Sequence, residues 1–206
     1  MDNEEYKKKQ VEGHKNTEKY ALSTIGYFRL MRYLQSFIPK KGLILDVGCN
    51  SGYESMSIQS PQRRVIGIDI GKEFIKRSKS LGVDARLIDM HSLKFHRGYF
   101  DAIYCNNTLE HSHTPSKVLT EFHRVLKSGG ILIICIPSDY KNTNYISNQG
   151  WDSSLHLWKP NLEEFRNLIV KCGFKNIEIE EIDAKLMFGL ENRASLNYYV
   201  VVLCIK

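Results

Sequence analysis

The sequence predicts an open, doubly wound α/β fold, and three observations carry that prediction. Short, largely apolar runs at residues 43–47, 65–70 and 131–137 read as parallel strands buried on both faces. Amphipathic stretches with helical spacing lie between such runs, so strand and helix alternate as they do in a sheet built from crossover units. The first run breaks off in Gly48-Cys49-Asn50-Ser51-Gly52, and the second carries an acid, Asp69, at its end. In open α/β sheets ligands bind beyond the carboxyl ends of the strands. A glycine turn there lets the backbone approach the ligand, and a carboxylate can accept both hydroxyls of a ribose.

Composition limits the alternatives. A chain of 206 residues with 42% hydrophobic and 25% charged residues fits one globular domain with a full core. No apolar run approaches the roughly 20 residues of a membrane span, and residues 1–19 are charge-rich rather than signal-like. The expected compartment is the cytoplasm, with no membrane partner. The five cysteines form no Cys-x-x-Cys pair and read as reduced and buried, neither a disulfide framework nor a zinc site. A net charge of +6 would help an anionic substrate or nucleic acid approach. The lysines are dispersed, as on an ordinary solvated surface.

The elements follow in order. Residues 1–15 are polar and expected to be flexible. Residues 16–38 read as an N-terminal helical cover, with Tyr20, Ile25, Phe28, Leu30, Met31, Leu34 and Phe37 at apolar positions, stopped by Pro39 and Gly42. A helix over 52–59 follows the glycine loop, its N–H groups directed at the ligand end of the sheet. Beyond Asp69 come a helix over 72–81 closed by Gly82, a strand over 84–88 leading into Asp89-Met90, and a strand over 100–107. A helix over 116–126, a strand over 131–137 and an irregular segment over 138–160 come next. A helix over 161–172 and strands over 174–182 and 196–205 complete the chain as one domain without internal repeats.

Two passages together point to a family. One is Leu45-Asp46-Val47-Gly48-Cys49-Asn50-Ser51-Gly52 with Gly67-Ile68-Asp69 downstream. The other is Leu109-Glu110-His111, then Pro115, then Arg124-Val125-Leu126-Lys127-Ser128-Gly129-Gly130, then an apolar strand ending in Pro137. These motifs resemble the class I S-adenosylmethionine-dependent methyltransferases, particularly the small-molecule, type 11-like branch. The resemblance implies a Rossmann-like, seven-stranded sheet with helices on both faces and an antiparallel last strand. It implies S-adenosyl-L-methionine as cofactor, held by Asp46, Gly48, Cys49, Asn50, Gly52, Asp69, Ile70, Asp89, Met90 and Asn106. Asp69 would take the ribose, Asp89 the adenine amino group and the amide of Met90 the ring edge, while Asp46 would act by fixing the loop. The family usually has a third glycine where this chain has Asn50, a residue that tolerates left-handed backbone better than most. The N-terminal helices would lie across the cofactor mouth with Tyr20 and Tyr27 as lid residues. Asp139 and Tyr140, at the start of a 138–160 acceptor-site loop, would meet the acceptor.

Methyl transfer from a sulfonium is an in-line displacement, so the protein mainly positions the nucleophile and excludes water. A hydroxyl or amine acceptor also has a proton to lose, and His111 and His156 are the candidate bases, whereas His113 reads as exposed. Glu110, His111 and His113 lie close in sequence, but residues following a strand need not converge, and no metal is expected. The leading function is methyl transfer to a small-molecule or sugar-linked acceptor. The positive charge motivates a second, tRNA or rRNA methylation. The chain lacks an Asn/Asp-Pro-Pro-Tyr motif and a Pro-Cys pair for cytosine attack, and no appended RNA-binding domain is expected. The third is a non-catalytic partner subunit, which the intact glycine loop and ribose acid disfavour.

Overall fold

The computed structural model describes residues 3–14, 25–138, 155–158, 160–183 and 198–206. Strands β1 (Gly42–Val47), β2 (Arg63–Asp69), β3 (Asp84–Leu87), β4 (Phe100–Asn106), β5 (Leu126–Ser138), β6 (Lys175–Asp183) and β7 (Tyr198–Ile205) form one sheet. Its order is β3-β2-β1-β4-β5-β7-β6. Strands β1 to β5 pair in parallel, and β7 runs antiparallel to both β5 and β6. The chain steps outward from β1 through β2 to β3 and then returns to β4 on the other side. The crevice between β1 and β4 is therefore the switch point at which such sheets bind ligands.

Helices α1 (Asn3–His14), α2 (Ile25–Ser36), α3 (Tyr53–Ile58), α4 (Lys72–Ser80), α5 (Pro115–Val125) and α6 (Leu162–Lys171) accompany the sheet. Successive strand residues point to opposite faces, so each apolar run supplies two cores. On one face Leu45, Ile103, Cys105, Leu132, Ile134 and Val202 meet Val118, Leu119 and Phe122 of α5 and Phe165 and Ile169 of α6. On the other Ile44, Ala102, Tyr104, Ile133 and Val201 meet Leu30 and Leu34 of α2 and Ile58 of α3. Helix α5 starts with Pro115 in its first turn. A capping box between Asn161 and Glu164 opens α6.

Several element bounds differ from expectation by a residue or two, and β5 differs more. It begins at Leu126 instead of residue 131 because Leu126 already pairs with Phe100; the pairing jumps from Phe100↔Leu126 to Ala102↔Ile131, and residues 127–130 form the intervening bulge. A hydrogen-bonded cluster holds the segment before β4. Arg124 donates to the carbonyls of Leu93 and Phe95 and to Glu121, which in turn accepts from the Leu93 amide.

The N-terminus corrects the expectation of a flexible lead-in: residues 3–14 form α1. Tyr6 and Gln10, one helical turn apart, are buried, while much of the remainder is charged and exposed. One aromatic and one amide make too sparse an apolar stripe to be recognised by periodicity. Of the expected cover over 16–38, residues 16–24 lie outside the described residues. Helix α2 begins at Ile25 and buries Leu30 and Leu34 against the sheet, whereas Tyr6, Gln10 and Val11 of α1 line the cleft. Tyr20, Asp139, Tyr140 and most of the 138–160 segment lie outside the described residues, as does the side chain of Tyr27.

Candidate active site

The loop after β1 is built from backbone geometry. The amides of Gly48 and Cys49 both donate to the carbonyl of Ile68 at 2.9 Å, which folds the chain back over the end of β2. Gly48 (φ 74), Asn50 (φ 47) and Gly52 (φ 85) are all left-handed. Asn50 thus adopts the conformation its residue type tolerates in place of a third glycine. A Cβ on Gly48 would come within 2.2 Å of Thr108 Oγ1, and one on Gly52 within 2.2 Å of Ser78 Oγ. The carboxylate of Asp69 closes the loop, accepting from the amide of Asn50 at 3.1 Å and from that of Gly71 at 2.8 Å.

Beside this loop lies a cleft of about 690 Å³, counting the part open to solvent. Its walls carry the carboxylates of Asp69 and Asp89, the backbone of Gly48 and Asn50, and the apolar side chains of Ile70, Phe74, Ile88 and Met90. Helix α1 contributes Tyr6, Gln10 and Val11. Asp89 accepts from both the amide and ring Nδ1 of His91, at 2.9 and 2.7 Å, and pairs with Lys7 of α1 at 3.3 Å. Burial works to raise the Asp89 carboxyl, but the His91 and Lys7 bonds prevail and hold it well below the usual range. His91 Nε2 sits 2.8 Å from Ser112 Oγ, which also accepts from the Thr114 amide. The Asp89 carboxylate only accepts, so His91 donates to it through Nδ1.

At the far end of the cleft, the short 3-10 turn Leu109–His111 follows β4. His111 lines the cleft, and its Nδ1 is 3.0 Å from the carbonyl of Leu155. A carbonyl only accepts, so Nδ1 carries the proton and the basic nitrogen is Nε2. The His156 ring packs edge-on against His111 with centroids 4.9 Å apart. The carbonyl of Glu110 accepts from the Trp158 amide at 3.0 Å, and Leu155 also accepts from Gln10 Nε2 at 3.1 Å. Residues 155–158 are thereby tied both to the turn and to α1. Glu110 itself is 2% exposed, and burial pushes its carboxyl up to about 8.

The family comparisons agree with this geometry. A family model described as a methyltransferase domain matches residues 45–134. The ubiquinone biosynthesis O-methyltransferase of Xanthomonas oryzae pv. oryzae is 34% identical over 167 residues, covering 75% of this chain and 70% of that protein. The chain belongs to the class I S-adenosylmethionine-dependent methyltransferases. The malonyl-[acyl-carrier protein] O-methyltransferase of Hamiltonella defensa is 32% identical to this methyltransferase over 52% of the chain and 41% of its own length. The fold matches that of Haemonchus contortus phosphoethanolamine N-methyltransferase 2, solved with phosphomonomethylethanolamine and S-adenosylhomocysteine. That match has a TM-score of 0.75 and 16% identity, over 96% of this chain and 60% of the other. Against four curated relatives the methyltransferase spans only 34%, 41%, 52% and 60% of their length.

The residues present fit the family's methyl donor. A nucleoside needs apolar walls for its base and acceptors for its hydroxyl and amino groups. The cleft of this methyltransferase sets Ile70, Ile88 and Met90 beside Asp69 and Asp89. Of the residues expected in the cofactor shell, Gly48, Asn50, Asp69, Ile70, Asp89 and Met90 line the cleft, as does His111. Four others stand behind it. Asp46 is 3% exposed and accepts from Ser55 Oγ of α3 at 2.5 Å. Burial first, then the charge of Glu54, pushes its carboxyl up to about 8. Asn106 donates to Glu54 of α3 at 3.1 Å. Cys49 is buried with Ile75 and Ala85, and burial raises its thiol. Gly52 caps α3 and abuts Ser78. His156 reaches the site through His111. His113, expected to be exposed, packs against Tyr6 and His91. Sequence reasoning missed Tyr6, Gln10, His91 and Thr108, none of which belongs to a motif.

Proposed function

We propose that this chain transfers a methyl group from S-adenosyl-L-methionine to an oxygen or nitrogen of a small-molecule or sugar-linked acceptor. One observation carries the reading: Asp69, fixed by two amides of the loop segments, and His111 line the same cleft beyond the carboxyl ends of β1, β2 and β4. Asp69 takes the ribose hydroxyls of the donor, with Gly48 and Asn50 bringing backbone close to it. Ile70, Ile88 and Met90 flank the base, and Asp89 accepts from its amino group. Asp46 and Asn106 act from behind, holding α3 and the loop in register.

The donor supplies an electrophilic methyl on sulfur. In the transfer the S–CH₃ bond breaks, its electron pair stays on sulfur, and the acceptor's lone pair forms the new bond. An acceptor hydroxyl or amine must also lose a proton, and His111 and His156 are the groups at that end of the cleft. Closure by α1 and by residues 155–158 excludes water from the transfer.

The test is a calorimetric titration of S-adenosylmethionine and its demethylated product into the wild-type chain and Asp69→Ala. Labelled donor is then screened against small-metabolite and RNA fractions. Binding weakened by Asp69→Ala, with label entering the small-molecule fraction, supports the proposal. Label entering RNA with a steep salt dependence assigns the second class instead. A folded wild type that binds neither ligand overturns the reading.

A further inference from the structure

Glu110 occupies an unusual position for a carboxylate. It is 2% exposed, and neither of its oxygens has a hydrogen-bond partner among the described residues. An unpaired buried acid is costly, and it calls for a positive partner. The nearest cationic candidate is His111, whose Nε2 lies 3.9 Å from Glu110 Oε1, beyond hydrogen-bond distance. One nitrogen of His111, one of His156 and one oxygen of Glu110 all lie within 4.8 Å of one another, and all three residues are buried. The 3-10 turn supplies Glu110 and His111, and the 155–158 segment supplies His156. The Trp158 amide on the Glu110 carbonyl and the Leu155 carbonyl on His111 Nδ1 hold the two together. The latter bond also leaves Nε2 as the nitrogen that ligates, which is the usual outer-shell arrangement for a metal-bound imidazole.

We propose that Glu110, His111 and His156 form a binding site for a divalent first-row transition-metal ion at the acceptor end of the cleft. Two imidazoles and one carboxylate suit zinc, cobalt or manganese better than the all-oxygen preference of magnesium or calcium. Bonds of about 2.0–2.2 Å bring ligand atoms to roughly 3.3 Å of one another, so the side chains close by about 1 Å or slightly more on the ion. Three protein ligands leave at least one position open. The next step rests on the methyl-transfer reading. His111 lines the cleft, so the open position takes the acceptor oxygen. The ion lowers the pKa of that hydroxyl, its proton leaves to solvent, and the resulting alkoxide or phenolate attacks the methyl carbon as the S–CH₃ bond breaks with its electron pair left on sulfur. His111 and His156 are then ligands, not bases.

Equilibrium dialysis of the chelator-treated full chain against Zn²⁺, and visible absorption on titration with Co²⁺, read the site without turnover. One ion per chain is expected, with a Co²⁺ d–d band. Glu110→Gln, nearly isosteric, should weaken binding at least about tenfold, as should His156→Asn. Both variants should keep the circular-dichroism spectrum and S-adenosylmethionine affinity of the wild type. A wild type that binds S-adenosylmethionine but takes up no stoichiometric ion overturns the metal site and leaves the donor reading standing. Ion binding unchanged by Glu110→Gln and His156→Asn overturns it equally. Ion binding that both variants weaken, in a chain with no affinity for S-adenosylmethionine, upholds the site and removes the methyl-transfer step alone.

Discussion

The hydroxyl of Tyr6 donates to the main-chain carbonyl of His111 at 2.7 Å, across 105 positions of sequence. This bond joins the first helix to the turn at the acceptor end of the cleft. The Tyr6 ring packs edge-on against His113, at 4.9 Å between centroids, and more distantly against His91, and Lys7 one residue on pairs with Asp89. Helix α1 is thus fastened at both walls of the cleft by a few polar and aromatic contacts.

Tyr6→Phe tests that fastening. The substitution keeps the ring and removes one hydrogen bond, so it should cost about 0.5–1.5 kcal/mol of donor binding or α1 docking. Calorimetry with S-adenosylmethionine should show weaker binding, and amide exchange in α1 should accelerate while exchange in β4 and β5 stays unchanged.

Asp69→Ala should weaken S-adenosylmethionine binding by roughly 1–3 kcal/mol through lost charge-assisted bonds to the ribose. Asp69 also accepts from the amides of Asn50 and Gly71. Part of the loss is therefore loop order. Faster hydrogen exchange at those two amides in the ligand-free variant would measure that part.

The sheet and the glycine loop were legible because their signals are local. A strand buried on both faces is a continuous apolar run, and Gly48, Asn50 and Gly52 mark left-handed turns within five residues. Shell members that stand behind the cleft reflect the pleat. Asp46 and Asn106 share a sheet face with Tyr104, and all three meet Ser55 or Glu54 of α3. A motif alone does not show which face of a strand end looks into the crevice. Helix α1 and the approach of His156 to Glu110 were not legible. Each depends on a handful of contacts between segments far apart in sequence, and neither leaves a periodic trace.

Asp46 predicts a pH dependence. Its carboxyl stands at about 8 in the folded chain against an ordinary value of 3.8. The groups facing it are Glu54, Asp69, Ser55 and the Cys49 thiol. Between these pH values the folded state holds a proton that the unfolded state has released. The stabilisation is complete below about pH 4 and is lost as pH rises through 8, at no more than about 1.4 kcal/mol per pH unit. Asp46→Asn cannot titrate. Its stability relative to wild type in urea unfolding should rise from pH 6 to pH 9; a difference independent of pH would show that Asp46 is ionised in the folded chain throughout.

Gly48→Ala should damage the loop for two separable reasons. The backbone stands at φ 74, where a side chain costs roughly 1–2 kcal/mol. The new Cβ would also meet Thr108 Oγ1, Cγ2 and Cβ at 2.2, 2.6 and 2.9 Å. Thr108 cannot simply withdraw, because its hydroxyl lies 2.9 Å from the Asn106 carbonyl and 3.1 Å from that of Val47, both acceptors. Thr108→Gly removes the obstructing atoms at the cost of those bonds. In a double-mutant cycle read by urea unfolding, Gly48→Ala should destabilise by more than about 2 kcal/mol. The double variant should be more stable than the sum of the single changes predicts, by roughly 0.5–3 kcal/mol. The backbone strain should persist in it. Full recovery would mean that the clash with Thr108, and not the left-handed turn, is what requires glycine at 48; additive effects would mean the reverse.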